Sequence, residues 1–262
     1  MKYIVIDPVI ADLGFVKIYW YGVMYLLAFL SAYLLAKYRC KADSLWNIKH
    51  VDDLIFYGAL GAVLGGRLGY LLFYNWSIFI SNPFTFFDFQ NGGMSFHGGF
   101  IGVLLVMLAF NKKHKLTFFQ TTDFIAPLVP LGLGFGRIGN YINGELWGRV
   151  TESSWGILAP DQSGLWENRF PSQLYEALLE GIVLFFILWL FSKKKPPIMA
   201  TSALFLIFYG FFRFIIEFIR VPDSHIGYLA FDWLTMGQIL SFPMIVIGIY
   251  LFFKSYRLKG SA

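Results

Sequence analysis

Long apolar runs alternating with short polar stretches dominate this chain, and seven of the runs are long enough to matter. Their approximate ranges are 17–36, 51–74, 94–110, 120–142, 172–191, 200–220 and 236–253. Crossing the ~30 Å hydrocarbon layer of a bilayer takes roughly 17 to 25 helical residues, so each range predicts a transmembrane helix. The third is the shortest. Pro127 and Pro130 are expected to kink the fourth, and Pro243 the seventh. Ahead of the first range, Asp7, Pro8, Asp12 and Gly14 interrupt an apolar stretch that lacks a basic start and a small-residue cleavage site. That predicts an interfacial segment rather than a cleavable signal peptide. The fold class expected is an all-α integral membrane protein, one transmembrane domain over 1–262, with a small outer cap or docking surface made by the loop at about 143–171.

Basic residues set the orientation. Lys37, Arg39, Lys41 and Lys49 follow the first range, Lys112, Lys113 and Lys115 the third, and Lys193, Lys194 and Lys195 the fifth, while Lys254, Arg257 and Lys259 end the chain. Residues 75–93 hold no Lys or Arg. The alternation predicts an N-terminus outside and a C-terminus inside, with these lysines and arginines acting as topology anchors.

Composition agrees with the pattern. Of 262 residues, 57% are hydrophobic and only 14% charged, where a soluble domain would carry about a quarter charged residues. The net charge of +5 sits in short clusters between apolar runs, which points to anionic lipid headgroups and away from nucleic acid. The single Cys40 excludes an intrachain disulfide and lies among basic residues on the expected inner side. The histidines at 50, 97, 114 and 225 show no paired spacing, so no metal site is expected.

Against this background the stretch from Gly132 to Arg149, GLGFGRIGNYINGELWGR, is out of place. It continues an apolar run, yet carries Arg137, Asn140, Tyr141, Asn143 and Glu145 among six glycines. At helical spacing Arg137, Asn140, Tyr141 and Gly144 share one face, and the glycines leave room for a backbone or a lipid headgroup. A snorkelling arginine with glycines that serve helix packing is the alternative. In the sixth range Arg213, Glu217 and Arg220 also share a face, and one carboxylate cannot neutralise two arginines. A lipid phosphate would supply the missing anion, whereas an internal Arg213–Glu217 clamp would be purely structural. Measured from the inner side at ~1.5 Å per residue, Arg67 lies about 24 Å, Arg137 about 26 Å and Arg213 about 20 Å along their helices. Tyr21, His97, Gln173 and Glu176 sit near the outer ends of helices running the other way. The shared depth predicts one site facing the outer leaflet. Gly92 to Gly99 places Ser95 ahead of a glycine-rich helix start that would attract phosphate, with His97 as a general base or a hydrogen-bonding structural group.

The runs WYGVMYL (20–26), GGRLGYLLFYN (65–75), GGMSFHGGFIG (92–102), GFGRIGNYINGELWGR (134–149), PSQLYEALLEG (171–181), FRFIIEFIRVPD (212–223) and MGQILS (236–241) together resemble the bacterial prolipoprotein diacylglyceryl transferases. The resemblance implies an enzyme that moves the diacylglyceryl group of phosphatidylglycerol onto the lipobox cysteine thiol of a preprolipoprotein signal peptide. A thioether forms and glycerol phosphate leaves, in the first step of lipoprotein maturation. It also implies a multi-pass protein of the bacterial cytoplasmic (inner) membrane, working at the outer leaflet without cofactor or metal. Family positions tied to activity fall here on Tyr21, His97, Arg137, Asn140, Glu145, Gly148, Arg213, Glu217 and Arg220. Arg137 and Arg213 are the expected phosphate clamp, supported by Arg220 and Arg67 and by the glycines Gly98, Gly99 and Gly148. Asn140 and Tyr21 would position the headgroup, Glu145 and Glu217 would orient the arginines, and His97 leads as the base. Several relatives carry a histidine where this chain has Phe170, so no catalytic role of that histidine transfers. The rival class is a phospholipid or anion transporter with an arginine-lined cavity, which would more naturally show paired repeats and a broken helix. A non-catalytic lipid-binding scaffold is a third class.

Overall fold

The computed structural model describes residues 2–14, 17–88, 93–160, 164–222 and 227–260. Gly92, His225, and the stretch 161–163 of the expected outer loop lie outside them. The chain is mostly helical and divides into two compact units, one formed by 1–34 with 122–262 and the other by 35–121.

Helices occupy all seven apolar ranges, and four helical stretches are long and apolar enough to cross a membrane: α1 (Trp20–Cys40), α2 (Ile48–Tyr74), Ser172–Ser192 and α10 (Met236–Gly260). Their outward faces carry exposed large apolar side chains such as Leu26, Phe56, Phe73 and Phe253, which only a lipid solvent would tolerate at this density. Ahead of α1 the chain forms a small antiparallel hairpin, β1 (Val9–Asp12) with β2 (Lys17–Tyr19).

In the unit 35–121, α2 packs along α4 (Phe96–His114) through glycines spaced every four residues. A Cβ at Gly61 or Gly69 would come within 2.8 Å of backbone in α4, and one at Gly65, Gly98 or Gly102 would meet backbone closer still. The two backbones therefore touch, a packing that dispenses with side chains. Between them run the short α3 (Trp76–Ser81) and a 3₁₀ turn, Pro83–Phe87.

In the other unit the fourth apolar range is not one kinked helix but two. α5 (Phe118–Ile125) stops, residues 126–128 turn, and α6 (Val129–Ile142) begins. Pro127 removes a donor and disfavours helix at Ala126, while Pro130 suits the first turn of a new helix, where its missing N–H has no partner to lose. Pro243, by contrast, stands inside the continuous α10. The Ser172–Ser192 stretch runs as α7 (Ser172–Glu176), a π-helical segment Ala177–Val183 and α8 (Leu184–Ser192). Gly134 of α6 and Gly181 of the π segment meet backbone to backbone. α9 (Ala200–Ile216) packs against α10, with Gly210 and Gly248 each facing backbone and side chains of the partner helix. Asp123 ties the start of α9 to α5 by accepting the main-chain N–H groups of Met199 and Ser202.

Candidate functional site

Three arginines from two parts of the sequence meet one buried carboxylate. Glu176, at the end of α7, is 1% exposed. Its Oε2 pairs with Arg137 Nε from α6 and lies 3.5 Å from an Arg213 nitrogen of α9, and its Oε1 lies 3.9 Å from Arg220 Nε. Glu217 adds a second carboxylate, whose Oε1 pairs with Arg213 and lies 3.8 Å from Arg220. Among the described residues these three guanidiniums share the two carboxylates. A third carboxyl group, Glu180, sits one turn further along in the π segment, fully buried, with neither oxygen hydrogen-bonded. π segments of this kind recur at functional sites because they re-aim side chains that a regular helix would hold elsewhere.

Local structure explains how these groups reach each other. α9 ends at Ile216, yet the N–H groups of Glu217 and Arg220 still donate to Arg213 O and Ile216 O, so the helical spacing of the three charged side chains persists past the helix end. Arg220 is then held by its backbone: Arg149 N donates to Ile219 O, Arg149 Nε donates to Arg220 O, and Gly148 bridges Arg220. Gly148 N also donates to Phe170 O, so three chain segments cross at this glycine. A Cβ there would stand 2.6 Å from Ile219 O and 2.8 Å from Phe170 O, which is the reason for glycine at this position. The start of α7 is tied to the same loop, since Ser172 Oγ donates to Leu146 O and Gln173 Nε2 to Glu145 O.

The remaining expected residues divide. Asn140 is buried and donates through Nδ2 to Glu145 at 2.8 Å, and Asn143 reaches the same oxygen at 3.3 Å. Glu145 thus orients two asparagines, and its described contacts include no arginine, so the expected arginine-orienting role falls to Glu176 and Glu217. Tyr21 packs its ring over Gly139, where a Cβ would come within 2.8 Å, and meets Tyr25 edge-on. Tyr141 turns to another cluster with Tyr3 and Trp147, and Tyr3 donates its hydroxyl to the carbonyls of Tyr141 and Ile142. Tyr3's phenol is raised above its usual range, first by burial. The loop between α6 and α7 carries a hairpin, β3 (Ile157–Pro160) with β4 (Trp166–Arg169), tied to its stem by Asn168 Nδ2 donating to Thr151 O and Ser153 O.

Three expected ligand-binding positions and the expected base lie in the other unit. Arg67 is 4% exposed and donates to the carbonyls of Thr85 (2.6 Å), Phe86 (3.3 Å) and Gly93 (3.2 Å), so its guanidinium holds the chain between α3 and α4. Gly98 and Gly99 face α2, and Gly98 N–H is accepted by the Ser95 side chain that caps α4. His97 is exposed on the first turn of α4, its ring edge-on to Phe96. Cys40 is buried with Sγ 3.2 Å from Lys37 O.

Sequence reasoning named Glu176 without seeing it as the hub, and gave Glu180 no role. The signal was present: Gln173, Glu176 and Glu180 fall at i, i+3 and i+7, a polar stripe on an otherwise apolar helix. MGQILS carried only the resemblance, yet the start of α10 lines a small cavity of about 40 Å³ together with Arg213, Glu217 and Arg220. Among the described residues no group of three or more His, Cys, Asp and Glu side chains could hold a metal ion.

Residues 8–254 match the family described as prolipoprotein diacylglyceryl transferase. The chain is 52% identical to the phosphatidylglycerol--prolipoprotein diacylglyceryl transferase of Pseudomonas putida (strain W619) over 100% of this chain and 98% of the relative. It is equally similar, at 52%, to the proteins of that name from Pseudomonas fluorescens (strain Pf0-1), covering 100% of this chain and 97% of the relative, and from Pseudomonas aeruginosa (strain LESB58), covering 98% and 96%. With similarity of this extent over the full length of both partners, the chain belongs to the prolipoprotein diacylglyceryl transferase family.

Proposed function

We propose that the chain transfers the diacylglyceryl group of phosphatidylglycerol to the lipobox cysteine of preprolipoproteins, and that the arginine cluster around Glu176 and Glu217 binds the phosphate. The observation that supports this reading is the convergence of three guanidiniums, from α6 and from the end of α9, on one cluster. A guanidinium matches a phosphate with two parallel hydrogen bonds, and several held side by side offer it a ready seat. As the thiolate sulfur bonds to the glyceryl carbon, the carbon–oxygen bond to the phosphate breaks and negative charge grows on the leaving glycerol phosphate. Fixed guanidiniums at those oxygens lower the barrier.

Arg137 and Arg213 form the clamp in this account, with Arg220 beside them and Glu217 holding Arg213 and Arg220 in place. Asn140, steadied by Glu145, and Tyr21 face the headgroup, and Gly148 keeps the Arg220 segment against the outer loop. His97 takes the thiol proton. Gly98 and Gly99 take part in lipid binding at the α2–α4 seam, and Arg67 supports it by holding the carbonyls of Thr85, Phe86 and Gly93. The seven helical ranges span the bacterial inner membrane as one catalytic domain, N-terminus outside and C-terminus inside, with the loop 143–171 as an outer cap. The spacing of basic clusters supports that orientation. A transporter would bind the lipid and release it unchanged, and a scaffold would retain it.

Mass spectrometry of a lipobox peptide incubated with purified protein and phosphatidylglycerol tests the proposal. A diacylglyceryl mass gained on cysteine is expected, and an unmodified peptide beside bound lipid would refute it.

A further inference from the structure

The start of α10 does more than begin a helix. Glu217 Oε1 faces both Arg213 and Arg220, while its Oε2 accepts a hydrogen bond of 2.7 Å from the Thr235 hydroxyl. Thr235 is 2% exposed, and its hydroxyl oxygen accepts the Gln238 N–H at 3.2 Å, while the Gln238 side chain accepts the Thr235 N–H at 3.0 Å. A hydroxyl has one proton to give, and with its oxygen occupied by Gln238 that proton goes to the carboxylate. Behind the carboxylate stands Gly237, where a Cβ would lie 2.5 Å from Glu217 Cδ and 2.6 Å from Oε1. Thr235 and Gly237 line the same cavity as Arg213, Glu217 and Arg220.

We propose that Thr235 and Gly237 are positioning residues for phosphate binding: Thr235 fixes the rotation of the Glu217 carboxylate, Gly237 leaves it room, and the carboxylate in turn aims the two arginines. The proposal rests on the transferase reading given above. A carboxylate free to rotate would take Oε1 away from the pair of guanidiniums it now serves. A larger residue at 237 would push the whole group toward them. Thr235 touches no substrate in this account and acts through Glu217.

The test uses the purified full chain with phosphatidylglycerol and a lipobox peptide, following kcat and confirming by thermal melting that each variant is folded. Wild-type turnover is measured first, since its absence would defeat the transferase reading and the proposal with it. Given an active wild type, Thr235→Val, which removes the hydroxyl at nearly constant shape, is expected to lower kcat by about tenfold or more. Thr235→Ser, which restores the hydroxyl, is expected to return it to within about threefold. A loss below about fivefold in Thr235→Val, or an equal loss in the valine and serine variants, overturns the proposal. Should Thr235→Val fail to fold, Gly237→Ala decides, because it leaves the helix cap intact and its added methyl meets the Glu217 carboxyl group: a loss of about fivefold or more supports the assignment, and a smaller one overturns it.

Discussion

At Glu176 a fully buried carboxylate meets guanidiniums from three positions, and breaking such an arrangement strands charge in a low-dielectric interior. Removing one partner of a buried ion pair costs about 3–5 kcal/mol, because the other is left uncompensated. Glu176→Gln should therefore melt well below wild type as well as lose transfer. Arg137→Ala takes away only one of the three guanidiniums around Glu176, which keeps Arg213 and Arg220 beside it. It should retain most of its thermal stability while slowing thioether formation by about 10²- to 10³-fold, the range typical for losing a transition-state donor. Near-normal turnover by Arg137→Ala, assayed with phosphatidylglycerol and a lipobox peptide, would remove that residue from the site. The arginines were legible in the sequence as charges at the wrong depth. Their partners were less so: the Arg213–Glu217 pair follows from i, i+4 spacing, but nothing local links Arg137 to Glu176. The contact depends on α6 and the π segment meeting at Gly134 and Gly181. Arg67 shows the converse. Its side chain is of the same type as that of Arg137, yet its guanidinium donates to the main-chain carbonyls of Thr85, Phe86 and Gly93, a choice that no local spacing signals.

Elements tell a similar story, because the apolar runs located every long helix but not the short α3, and chemistry between helices set how they end. The fourth range broke in two where a proline follows Ala126. The sixth stopped at Ile216, short of the charged residues it was expected to carry to 220. The glycines of the α2–α4 pair bring backbone against backbone. Gly65→Val should accordingly destabilise the protein by about 1–3 kcal/mol or more, since its side chain would press on α4 backbone that cannot move aside. Loss of thermal stability without a selective change in lipid binding would mark that role. At the other end of this pair, beyond the expected spans, the His50 and His114 rings meet edge-on with centroids 4.4 Å apart, although no sequence spacing suggested it. His114 is held below the usual histidine range by burial first, then by His50 and Lys113, with Asp53 opposing. A histidine with a lowered folded-state value binds more protons when unfolded, so stability falls as pH drops below the unfolded value of about 6.5. Melting at pH 5.5 against pH 7.5 should show a larger acid loss in wild type than in His114→Gln. Equal losses would mean that other groups govern the acid limb.

For the whole molecule, composition and the run of apolar ranges were sufficient to identify a membrane protein, and seven ordered motifs were sufficient for its family. Neither conveyed that the chemistry-bearing residues divide between two compact units. The arginine cluster, Glu176, Glu217, Asn140 and Tyr21 belong to one, and His97, Arg67, Gly98 and Gly99 to the other. The account stands or falls on where the lipid phosphate binds. The direct measurement is an experimental structure of the full chain with phosphatidylglycerol bound. Phosphate oxygens within hydrogen-bonding distance of the Arg137 and Arg213 guanidiniums, near the outer leaflet, are the predicted result. A phosphate seated away from both, with Glu176 and Glu217 still closing off the arginines, would contradict it.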